Sequence, residues 1–471
     1  MADLHDLSAL EQGAAIRSGE TSAVELTEHY LARSEEVGAE VGAFVRLTPE
    51  LALEMASAAD ARVSAGDLDD ASPLLGVVCP VKDLDMVAGV PTTFGSGPVE
   101  LTFPMDSNVV AAMRAAGLVF TGKTNTPEFG FPCYTEPDVA PPARTPWDLS
   151  RSAAGSSGGA AAAVSSGLAP IAQGSDGGGS IRLPSSVCGL VGIKTSRGRV
   201  SNGPLGEPIG DLAVYGPLAR NVRDAAALLD VMAVPFPDDS RPTPREPEGF
   251  LAAADRDPGR LRIGFFTDPV VGDTAPSADV LAAMADTVSL LSDLGHEVVP
   301  TQPPVAAEVV EQFELVWAAI AGGLPIPPEF ESEMRPLTRM LRQRARQATA
   351  AELASAVAAM NSAARAGLKA SAGFDAVLCP TAAAKPFTVG QLRDDDDPAA
   401  DFEAQKNWAA YTAIYNVTGQ PSINVPLNWT NDGLPIGVQF AGRPGAEALL
   451  ISLAAQLEGA RPWLHRRPTI W

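Results

Sequence analysis

The sequence predicts an α/β fold, a large mixed β-sheet covered on both faces by α-helices, and two stretches support this prediction. Residues 74–84, LLGVVCPVKDL, indicate a short buried strand, which a helix over 109–116 and an extended run over 118–121 follow. A later stretch indicates a strand, a helix and a second strand, at 261–266, 277–295 and 296–300. Alternation of this kind is typical of a sheet that helices cover.

The other predicted elements fit a single domain over residues 1–471. The first 65 residues are predicted to be helical, and Ser22 with Glu25 forms a capping box in the stretch 22–37. Apolar periodicity and turn residues predict the rest: a helix at 222–233, a surface loop at 234–249, mainly helices at 302–370 with a break at 322–330, strands at 374–382, 422–428 and 435–442, and a helix at 447–459.

The charge of the chain argues against two classes of partner. The 34 Lys and Arg against 57 Asp and Glu give a formal net charge of -23 over 471 residues. Nucleic acids and anionic membranes both need a basic protein surface, so neither is an expected partner. No run of 18 apolar residues is present, and the N-terminus, MADLHDLSALEQG, lacks the apolar segment of a signal peptide. We therefore expect a cytoplasmic protein.

The cysteines and histidines indicate neither disulfides nor a metal site. The chain has four widely separated cysteines without a CxxC pair, Cys79, Cys133, Cys188 and Cys379. It has four histidines, none near a cysteine in the sequence, His5, His29, His296 and His465. We expect the cysteines to be reduced and partly buried, and we expect no metal.

Residues 151–186 are rich in glycine and serine, and three interpretations compete. A flexible linker lacks apolar anchors, whereas AAAAV and LAPIA interrupt this stretch and SIRLPSSVCGLVGI continues it. A phosphate loop needs G-x-x-x-x-G-K-[ST], but the next lysine is Lys194, and G-x-G-x-x-G is absent here. A catalytic loop therefore fits best.

The run GGGS at 177–180 suits catalysis because no side chains obstruct its backbone N–H groups, and Ser180 lies beside them. A serine nucleophile needs a base. No histidine is close in the sequence, so a Ser-His-Asp triad would have to use His296 or His465. The alternative base is a neutral lysine, and Lys82 follows a buried strand, where desolvation lowers a lysine pKa.

At these residues the chain resembles the amidase signature family. The motifs that carry the resemblance are PVKDL at 80–84, AGSSGG at 154–159 and GSDGGGSIRLP at 174–184. It continues through CGLVGIKTSRGRVS at 188–201, GPLARNVRDAA at 216–226 and TGQPSINVPLN at 418–428. The resemblance implies the amidase signature fold, with N-terminal helices over 1–65, a catalytic core over about 66–232 and a variable, substrate-shaping region within about 302–415.

The resemblance also implies three groups of site residues and no cofactor. The implied catalytic residues are the nucleophile Ser180, the bridging Ser156 after a cis peptide bond, and the base Lys82. The implied oxyanion hole consists of the backbone N–H groups of Gly177, Gly178, Gly179 and Ser180. The implied supporting side chains are Ser175, Asp176 and Arg182. Two departures from the family pattern, Ala154 in place of a glycine and KTSRGR in place of KPTxGR, remove no catalytic group.

These roles imply hydrolysis of amide C–N bonds through an acyl-enzyme. Neutral Lys82 accepts a proton from Ser156, which accepts one from Ser180, and the Ser180 oxygen attacks the carbonyl carbon. Ser156 then protonates the leaving amine, and water cleaves the acyl-enzyme.

Further strings resemble the branch of the family that hydrolyses cyclic nylon dimers, GKTNTPEFG at 122–130, TEPDVAPPARTPWDLSRS at 135–152 and EGARPWLHRRP at 458–468. Glutaminase relatives use an acidic residue ahead of NxxGxP to hold the substrate ammonium, and Ala409 occupies that position here. A pocket walled by Ala409 and its apolar neighbours would favour apolar substrates; alternatively, these residues pack in a core helix. The segments expected to shape the pocket are 203–215, 313–345 and 402–415, and the predicted substrate-binding residues are Asn125, Phe313, Trp317, Trp408, Tyr411 and Ile414.

We therefore predict a serine-dependent hydrolase of aryl or alkyl amides, amino-acid oligomer amides or carbamates. It would act on small molecules as a monomer or homodimer. The alternatives are a glutaminase-type subunit of a tRNA amidotransferase, a serine hydrolase that prefers esters, and a non-catalytic partner subunit.

Overall fold

The computed structural model describes residues 3–204, 206 and 209–471. Its strands are β1 (Phe44–Leu47), β2 (Val81–Lys82), β3 (Pro91–Thr92), β4 (Leu101–Thr102), β5 (Gly122–Thr124), β6 (Ile171–Asp176), β7 (Val191–Lys194), β8 (Val214–Ala219), β9 (Arg262–Phe265), β10 (Glu297–Pro300), β11 (Ala376–Pro380), β12 (Ser422–Trp429) and β13 (Pro435–Gly442). A mixed sheet with the order β10-β9-β11-β13-β12-β7-β8-β6 forms the centre. In it, β9 pairs in parallel with β10 and β11, and the other neighbours are antiparallel.

The α-helices of the described residues are numbered in chain order. They are α1 (Ala9–Ser18), α2 (Ala23–Val37), α3 (Pro49–Ala65), α4 (Asn108–Ala115), α5 (Gly158–Ser165), α6 (Arg182–Cys188), α7 (Val222–Met232), α8 (Phe250–Ala253), α9 (Ala278–Asp293), α10 (Val309–Gly322), α11 (Pro336–Gln347), α12 (Ala350–Ser371), α13 (Pro398–Trp408), α14 (Ile414–Thr418) and α15 (Glu447–Ala460). Short 3₁₀ helices lie at Leu4–Asp6, Glu128–Gly130 and Pro328–Glu333.

Helices cover both faces of the central sheet, as the sequence predicts. Along β13, Val438 and Phe440 point to one face, where they pack in a buried cluster with residues of α7 and α15. Gln439, between them, points to the opposite face and accepts a hydrogen bond from Arg182 of α6 at 3.0 Å. Because successive strand residues alternate between faces, α6 and α15 lie on opposite sides of the sheet.

Two small sheets lie beside the central one. One has the order β1-β5-β2, in which β2 is parallel and β1 antiparallel to β5. The other is the antiparallel hairpin β3–β4. The three-stranded sheet matters for function because its strand β2 ends at Lys82, and β6, at the edge of the central sheet, ends at Asp176 directly before the GGGS run.

Most predicted elements are confirmed within one or two residues, and the capping box of Ser22 with Glu25 starts α2. Three predictions were wrong in detail. The extended run predicted over 118–121 contains only an isolated bridge at Val119, and the strand follows it as β5 at Gly122–Thr124. The first 65 residues are not purely helical, because Phe44–Leu47 forms β1 against β5. The strand predicted over 74–84 shrinks to Val81–Lys82, because the chain before it forms turns and a single bridge between Val78 and Val119. No described helix is long and apolar enough to cross a membrane.

Candidate active site

Lys82 is held at the end of a very short strand. It lies opposite Thr124 in the parallel pairing of β2 with β5. Its backbone N–H donates to Gln173 Oε1 on β6 at 2.9 Å, a bond that ties the small sheet to the large one. The Lys82 side chain is completely buried. The apolar run before Lys82 therefore brings a lysine side chain into the protein interior.

The side-chain nitrogen of Lys82 lies among serine oxygens. Lys82 Nζ is 2.8 Å from Ser156 Oγ, 2.9 Å from Ser157 Oγ and 3.1 Å from Ser175 Oγ. The Ser175 carbonyl oxygen is 3.4 Å away. The structure thus brings Lys82, Ser156 and Ser175 together as the sequence predicts. Ser157 was missed, although the motif AGSSGG contains both serines.

Burial changes the protonation of Lys82. Desolvation lowers the pKa of Lys82 from its ordinary value of 10.5 to about 7, against the opposing influence of the Asp85 and Asp176 carboxylates. At neutral pH a large fraction of this side chain is therefore the uncharged amine. An uncharged amine has a lone pair that can accept a proton from a neighbouring hydroxyl.

Ser156 and Ser157 differ in their surroundings. The bond Gly155–Ser156 is a cis peptide, as the family resemblance implies. The Ser157 hydroxyl also donates to the Ser175 carbonyl oxygen at 3.2 Å, whereas the Ser156 hydroxyl bonds only to Lys82 within the described chain. A Cβ placed on Gly130 would lie 3.2 Å from Ser156 Oγ, so the Gly130 backbone covers this hydroxyl. Of the two serines, Ser156 has the hydroxyl that is free to exchange a proton elsewhere.

Ser180 lies in the loop between β6 and α6. Its carbonyl oxygen accepts a hydrogen bond from the Ser157 N–H at 3.1 Å, so the two serine motifs are adjacent in space. Its hydroxyl makes no hydrogen bond to Ser156, or to any other residue that the structure describes, and the residue borders a cavity. The Ser180 oxygen is therefore available to a bound molecule.

A buried ion pair fixes the loop that carries Ser180. Asp176 and Arg182 are both fully buried, and Arg182 donates to the two carboxylate oxygens at 2.8 and 2.9 Å. Burial raises the pKa of Asp176, but the Arg182 guanidinium and its hydrogen bonds outweigh burial and hold that pKa well below its usual range. Asn416 donates to Asp176 Oδ1 at 3.0 Å from α14. The structure thus brings the two predicted supporting side chains together at the two ends of the loop.

The backbone N–H groups of the loop are not equivalent. The Gly179 N–H donates to Asp176 Oδ1 at 2.8 Å, so it is already engaged. This corrects the expectation that all four N–H groups face a substrate oxygen. The N–H groups of Gly177, Gly178 and Ser180 make no hydrogen bond within the described part of the chain. These three donors are unused within the described chain, and Gly178 and Ser180 line the cavity, where such N–H groups can stabilise an anionic oxygen.

The cavity above this loop is predominantly apolar and, counted to its open mouth, encloses about 750 Å³. Trp317 stacks on Phe313 with ring centroids 5.5 Å apart, and a Cβ on Gly177 would lie 3.0 Å from the Trp317 ring. These two rings therefore cover the backbone of the loop. The lining residues are Phe131, Pro132, Cys133, Gly178, Ser180, Leu183, Val271, Val309, Val310, Phe313, Glu314, Trp317, Phe402, Gln405, Lys406, Ala409, Ala413, Ile414 and Val417.

The structure brings half of the predicted substrate-binding residues to this cavity. Phe313, Trp317 and Ile414 line it, together with Ala409. The other three are corrected, because their side chains form part of the core and do not line the cavity. Asn125 Nδ2 donates to the Gly42 and Pro141 carbonyls, Trp408 packs edge-on against Phe387, and the Tyr411 hydroxyl donates to the Thr267 carbonyl.

Two charged residues in the cavity wall were missed. Glu314 of α10 and Lys406 of α13 pair at 2.6 Å, and Arg344 donates to the second Glu314 oxygen at 2.8 Å. No local pattern predicts this contact, because the two residues are far apart in the sequence and meet only in the folded chain. Within the predicted segment 203–215, residues 205, 207 and 208 lie outside the described residues, and the described ones do not line the cavity.

The arrangement therefore combines a neutral amine, a serine relay, a free serine hydroxyl and free N–H donors at one apolar cavity. These are the parts that nucleophilic attack on a carbonyl requires. In the part of the chain that the structure describes, no three His, Cys, Asp or Glu side chains are grouped so that they could hold a metal ion.

Comparisons with known proteins agree over the full length. The amidase family matches residues 25–451. The chain is 38% identical over 480 residues to a putative amidase, AmiB2, of Mycobacterium tuberculosis, with 99% of each chain covered. It is 35% identical over 485 residues to 6-aminohexanoate-cyclic-dimer hydrolase of Paenarthrobacter ureafaciens, with 98% of this chain and 96% of that one covered. A solved structure of 6-aminohexanoate cyclic dimer hydrolase superposes with a TM-score of 0.90 at 34% identity and covers 100% of both chains.

The two sequence matches cover nearly the whole chain, and the solved structure shares its overall fold. The chain therefore belongs to the amidase signature family and is an amide hydrolase.

Proposed function

We propose that this chain hydrolyses apolar amides through an acyl-enzyme on Ser180, with Ser156 as proton relay and Lys82 as base. The observation that carries the proposal is the 2.8 Å contact between buried Lys82 Nζ and Ser156 Oγ, in a site where the pKa of Lys82 is about 7. A general base is most effective when its pKa lies near the working pH.

Two protons move during attack, and both are accounted for when the amine leaves. Lys82 takes the Ser156 proton, Ser156 takes the Ser180 proton, and the Ser180 oxygen bonds to the carbonyl carbon. When the C–N bond breaks, Ser156 gives a proton to the leaving nitrogen and recovers one from Lys82. Because no hydrogen bond joins the Ser156 and Ser180 hydroxyls in the described chain, the Ser180 hydroxyl has to turn toward Ser156 before attack.

Charge develops on the carbonyl oxygen during attack. The free N–H groups of Gly177, Gly178 and Ser180 are the donors proposed to stabilise it, and the engaged Gly179 N–H is left out. Loss of one such donor in related chemistry costs about 10²–10³ in kcat. The ion pair of Asp176 with Arg182 holds these donors in place.

The substrate class is proposed from the cavity. Its wall is mainly aliphatic and aromatic, and burial of apolar surface contributes about 25 cal/mol per Å². Amides with an apolar acyl group, oligomers of ω-amino acids and carbamates fit such a wall. The similarity to an enzyme named for the 6-aminohexanoate cyclic dimer supports the second of these classes.

A hydrolysis screen with mass detection tests the proposal. Anilides, ω-amino acid oligomers, carbamates, primary amides and an ester of matched acyl group are incubated with the protein, and intact mass is read after acid quenching. We expect turnover of apolar amides and an adduct equal to the acyl group, and we expect Ser180→Ala to lose both while its circular dichroism spectrum is unchanged. Turnover by more than a few per cent in that variant would remove Ser180 from the proposed role, and a large excess of ester over amide turnover would favour the esterase alternative.

A further inference from the structure

A continuous series of aromatic rings runs from the cavity wall to the protein surface. The spacings between ring centroids are 5.5 Å for Phe313–Trp317, 5.5 Å for Trp317–Phe131, 6.4 Å for Phe131–Phe129, 6.4 Å for Phe129–Phe94 and 6.3 Å for Phe94–Phe103. The first three rings line the cavity. We call the last three, Phe94, Phe103 and Phe129, the outer aromatic cluster.

The residues of the outer aromatic cluster are only partly buried. All three rings are half-buried, and the nearby strand β4 presents Leu101 with 49% of its surface exposed. Met105, just beyond Phe103, is 52% exposed. Apolar side chains near this cluster are therefore accessible to solvent.

The backbone at this cluster is held in an unfavourable conformation. Phe94 has φ 55° and Phe129 has φ 50°, in the left-handed region that bulky residues avoid. The Phe129 N–H donates to the Phe94 carbonyl oxygen at 2.7 Å, which joins the two strained residues. Strain of this kind is concentrated at functional sites, because the surrounding structure has to hold it there.

The neighbouring glycine ties this cluster to the proton relay. Gly130 lies between Phe129 and Phe131, and a Cβ on Gly130 would lie 3.2 Å from Ser156 Oγ. Phe313 and Trp317 instead lie over Gly178 and Gly177, at the N–H donors. The aromatic series therefore approaches the N–H donors at Phe313 and Trp317, and it approaches Ser156 at Gly130, the residue next to Phe129 of the outer aromatic cluster.

We propose that the outer aromatic cluster binds the amine portion of the substrate, and that this portion is an aryl or other extended apolar group. The inference rests on the proposed function, in which Ser156 protonates the leaving nitrogen. The leaving nitrogen has to lie at Ser156, so its substituent extends along the segment that covers Ser156. The acyl portion then contacts Phe313 and Trp317. When the C–N bond breaks, the nitrogen takes the Ser156 proton and leaves as a neutral amine along the outer rings.

A matrix of four substrates and three variants tests this assignment. The substrates combine a hexanoyl or acetyl group with an anilide or methylamide. Phe103→Ala removes an outer ring, and Phe94→Asn removes a second with a residue that tolerates a left-handed backbone. Phe313→Ala is the matched variant on the acyl side. The value compared is kcat/KM, which covers all steps through departure of the amine, and intrinsic differences between the amines cancel between variants.

We expect Phe103→Ala and Phe94→Asn to lower the anilide-to-methylamide ratio by about three- to tenfold, the value of one aromatic contact. The hexanoyl-to-acetyl ratio should stay within twofold. Phe313→Ala should reverse this pattern. Folded outer-cluster variants that keep the wild-type anilide ratio, or that change the acyl ratio instead, would overturn the inference while leaving the proposed function intact. Wild-type protein that hydrolyses none of the four amides would overturn both.

Discussion

Lys82 Nζ lies 2.8 Å from Ser156 Oγ, and both residues are almost completely buried. Burial lowers the pKa of this amine to about 7, so the same feature that costs stability leaves much of the amine uncharged at neutral pH, as the proposed base requires. Of the two adjacent serines, Ser157 donates to a second acceptor, the Ser175 carbonyl oxygen, whereas the Ser156 hydroxyl bonds only to Lys82 in the described chain, which is why Ser156 is the proposed relay.

The first prediction concerns the pH dependence of hydrolysis. Lys82 has to be uncharged to accept a proton, and its pKa is about 7, so kcat/KM should rise with pH through about 7 and level off above it. Well below that pKa, kcat/KM should fall about tenfold for each pH unit. Initial rates with one amide from pH 5 to 10 give this profile.

A companion variant makes the assignment of that profile specific. The Asp85 carboxylate raises the pKa of Lys82, so Asp85→Asn should shift the rise of kcat/KM to lower pH. A profile that peaks in acid would point to a carboxylate or histidine as the base. A wild-type profile in Asp85→Asn would separate Lys82 from the observed ionisation.

The second prediction separates the two adjacent serines. Ser156→Ala removes the relay and should lower kcat/KM by about 10² or more, the usual contribution of a proton-transfer group. Ser157→Ala removes one of several hydrogen bonds to Lys82, so it should cost about tenfold or less. The kcat/KM values of the two variants are compared once urea unfolding shows that both are as stably folded as the wild type. Equal losses would show that the two hydroxyls act as a unit, and a larger loss in Ser157→Ala would reverse the assignment.

The parts of this site that the sequence predicts are those that short motifs carry. Lys82, Ser156 and Ser180 each lie in a distinctive local pattern, so they can be named before any fold is known. The Ser157 contact cannot be read from its motif, because both serines of AGSSGG are equivalent until the backbone turn directs their hydroxyls. The pair Glu314–Lys406 is a long-range contact between a side chain of α10 and one of α13, which leaves no mark in either local sequence.

The fold shows the same division between local and long-range signals. Helices with caps and apolar periodicity are predicted closely, and α2 is an example. Strand β1 is missed because its four residues, FVRL, become a strand only through pairing with β5. Trp408 and Tyr411 are predicted in the pocket because residues 408–414, WAAYTAI, carry no charge, but the sequence does not show which of these side chains face the cavity.

The third prediction concerns the stability of the loop. Asp176→Asn leaves the Arg182 guanidinium buried without its anion, and the free energy of unfolding should fall by about 3–5 kcal/mol. The effect should depend on pH with a definite sign. The folded-state pKa of Asp176 is lowered, so the pair's contribution is fully present above the unfolded-state pKa, decreases as the pH falls below that value, and is lost only as the pH falls through the lower folded-state pKa.

Urea unfolding at pH 7 and at pH 3 measures this effect. The control is Asp67→Asn, which removes the partner of Arg62 in a 3.4 Å pair whose carboxylate is 72% exposed. This variant should change the free energy of unfolding only slightly at either pH. Equal destabilisation by the two variants at pH 7 would contradict the assigned role of the buried pair.

The fourth prediction concerns the close approach at Gly130. A Cβ there would lie 2.8 Å from Leu84 Cδ1 and 3.2 Å from Ser156 Oγ, at a φ of 73°. Gly130→Ala should therefore displace Ser156 and lower kcat by tenfold or more (about 1.4 kcal/mol of activation free energy). Gly89→Ala is the matched control, because Gly89 has a φ of 75° with nothing within 4 Å of an added Cβ. Both variants carry the same backbone cost, and equal activity in the two would separate Gly130 from the relay.

The last prediction concerns substrate preference. Glutaminase relatives need an acidic residue to hold the ammonium of glutamine, and here the wall carries Ala409 at that position, while Glu314 is neutralised by Lys406 and Arg344. A free amino acid would leave its ammonium without an anion in an apolar cavity, which is costly. We therefore expect kcat/KM for a hexanoyl anilide to exceed that for glutamine by 10³ or more (about 4 kcal/mol). The test measures kcat/KM for both substrates. In Ala409→Asp, the ratio of the anilide value to the glutamine value should fall. If glutamine is hydrolysed as well as the anilide, the apolar-pocket assignment fails and the glutaminase alternative returns, because an unpaired anion would then have to be present at the wall.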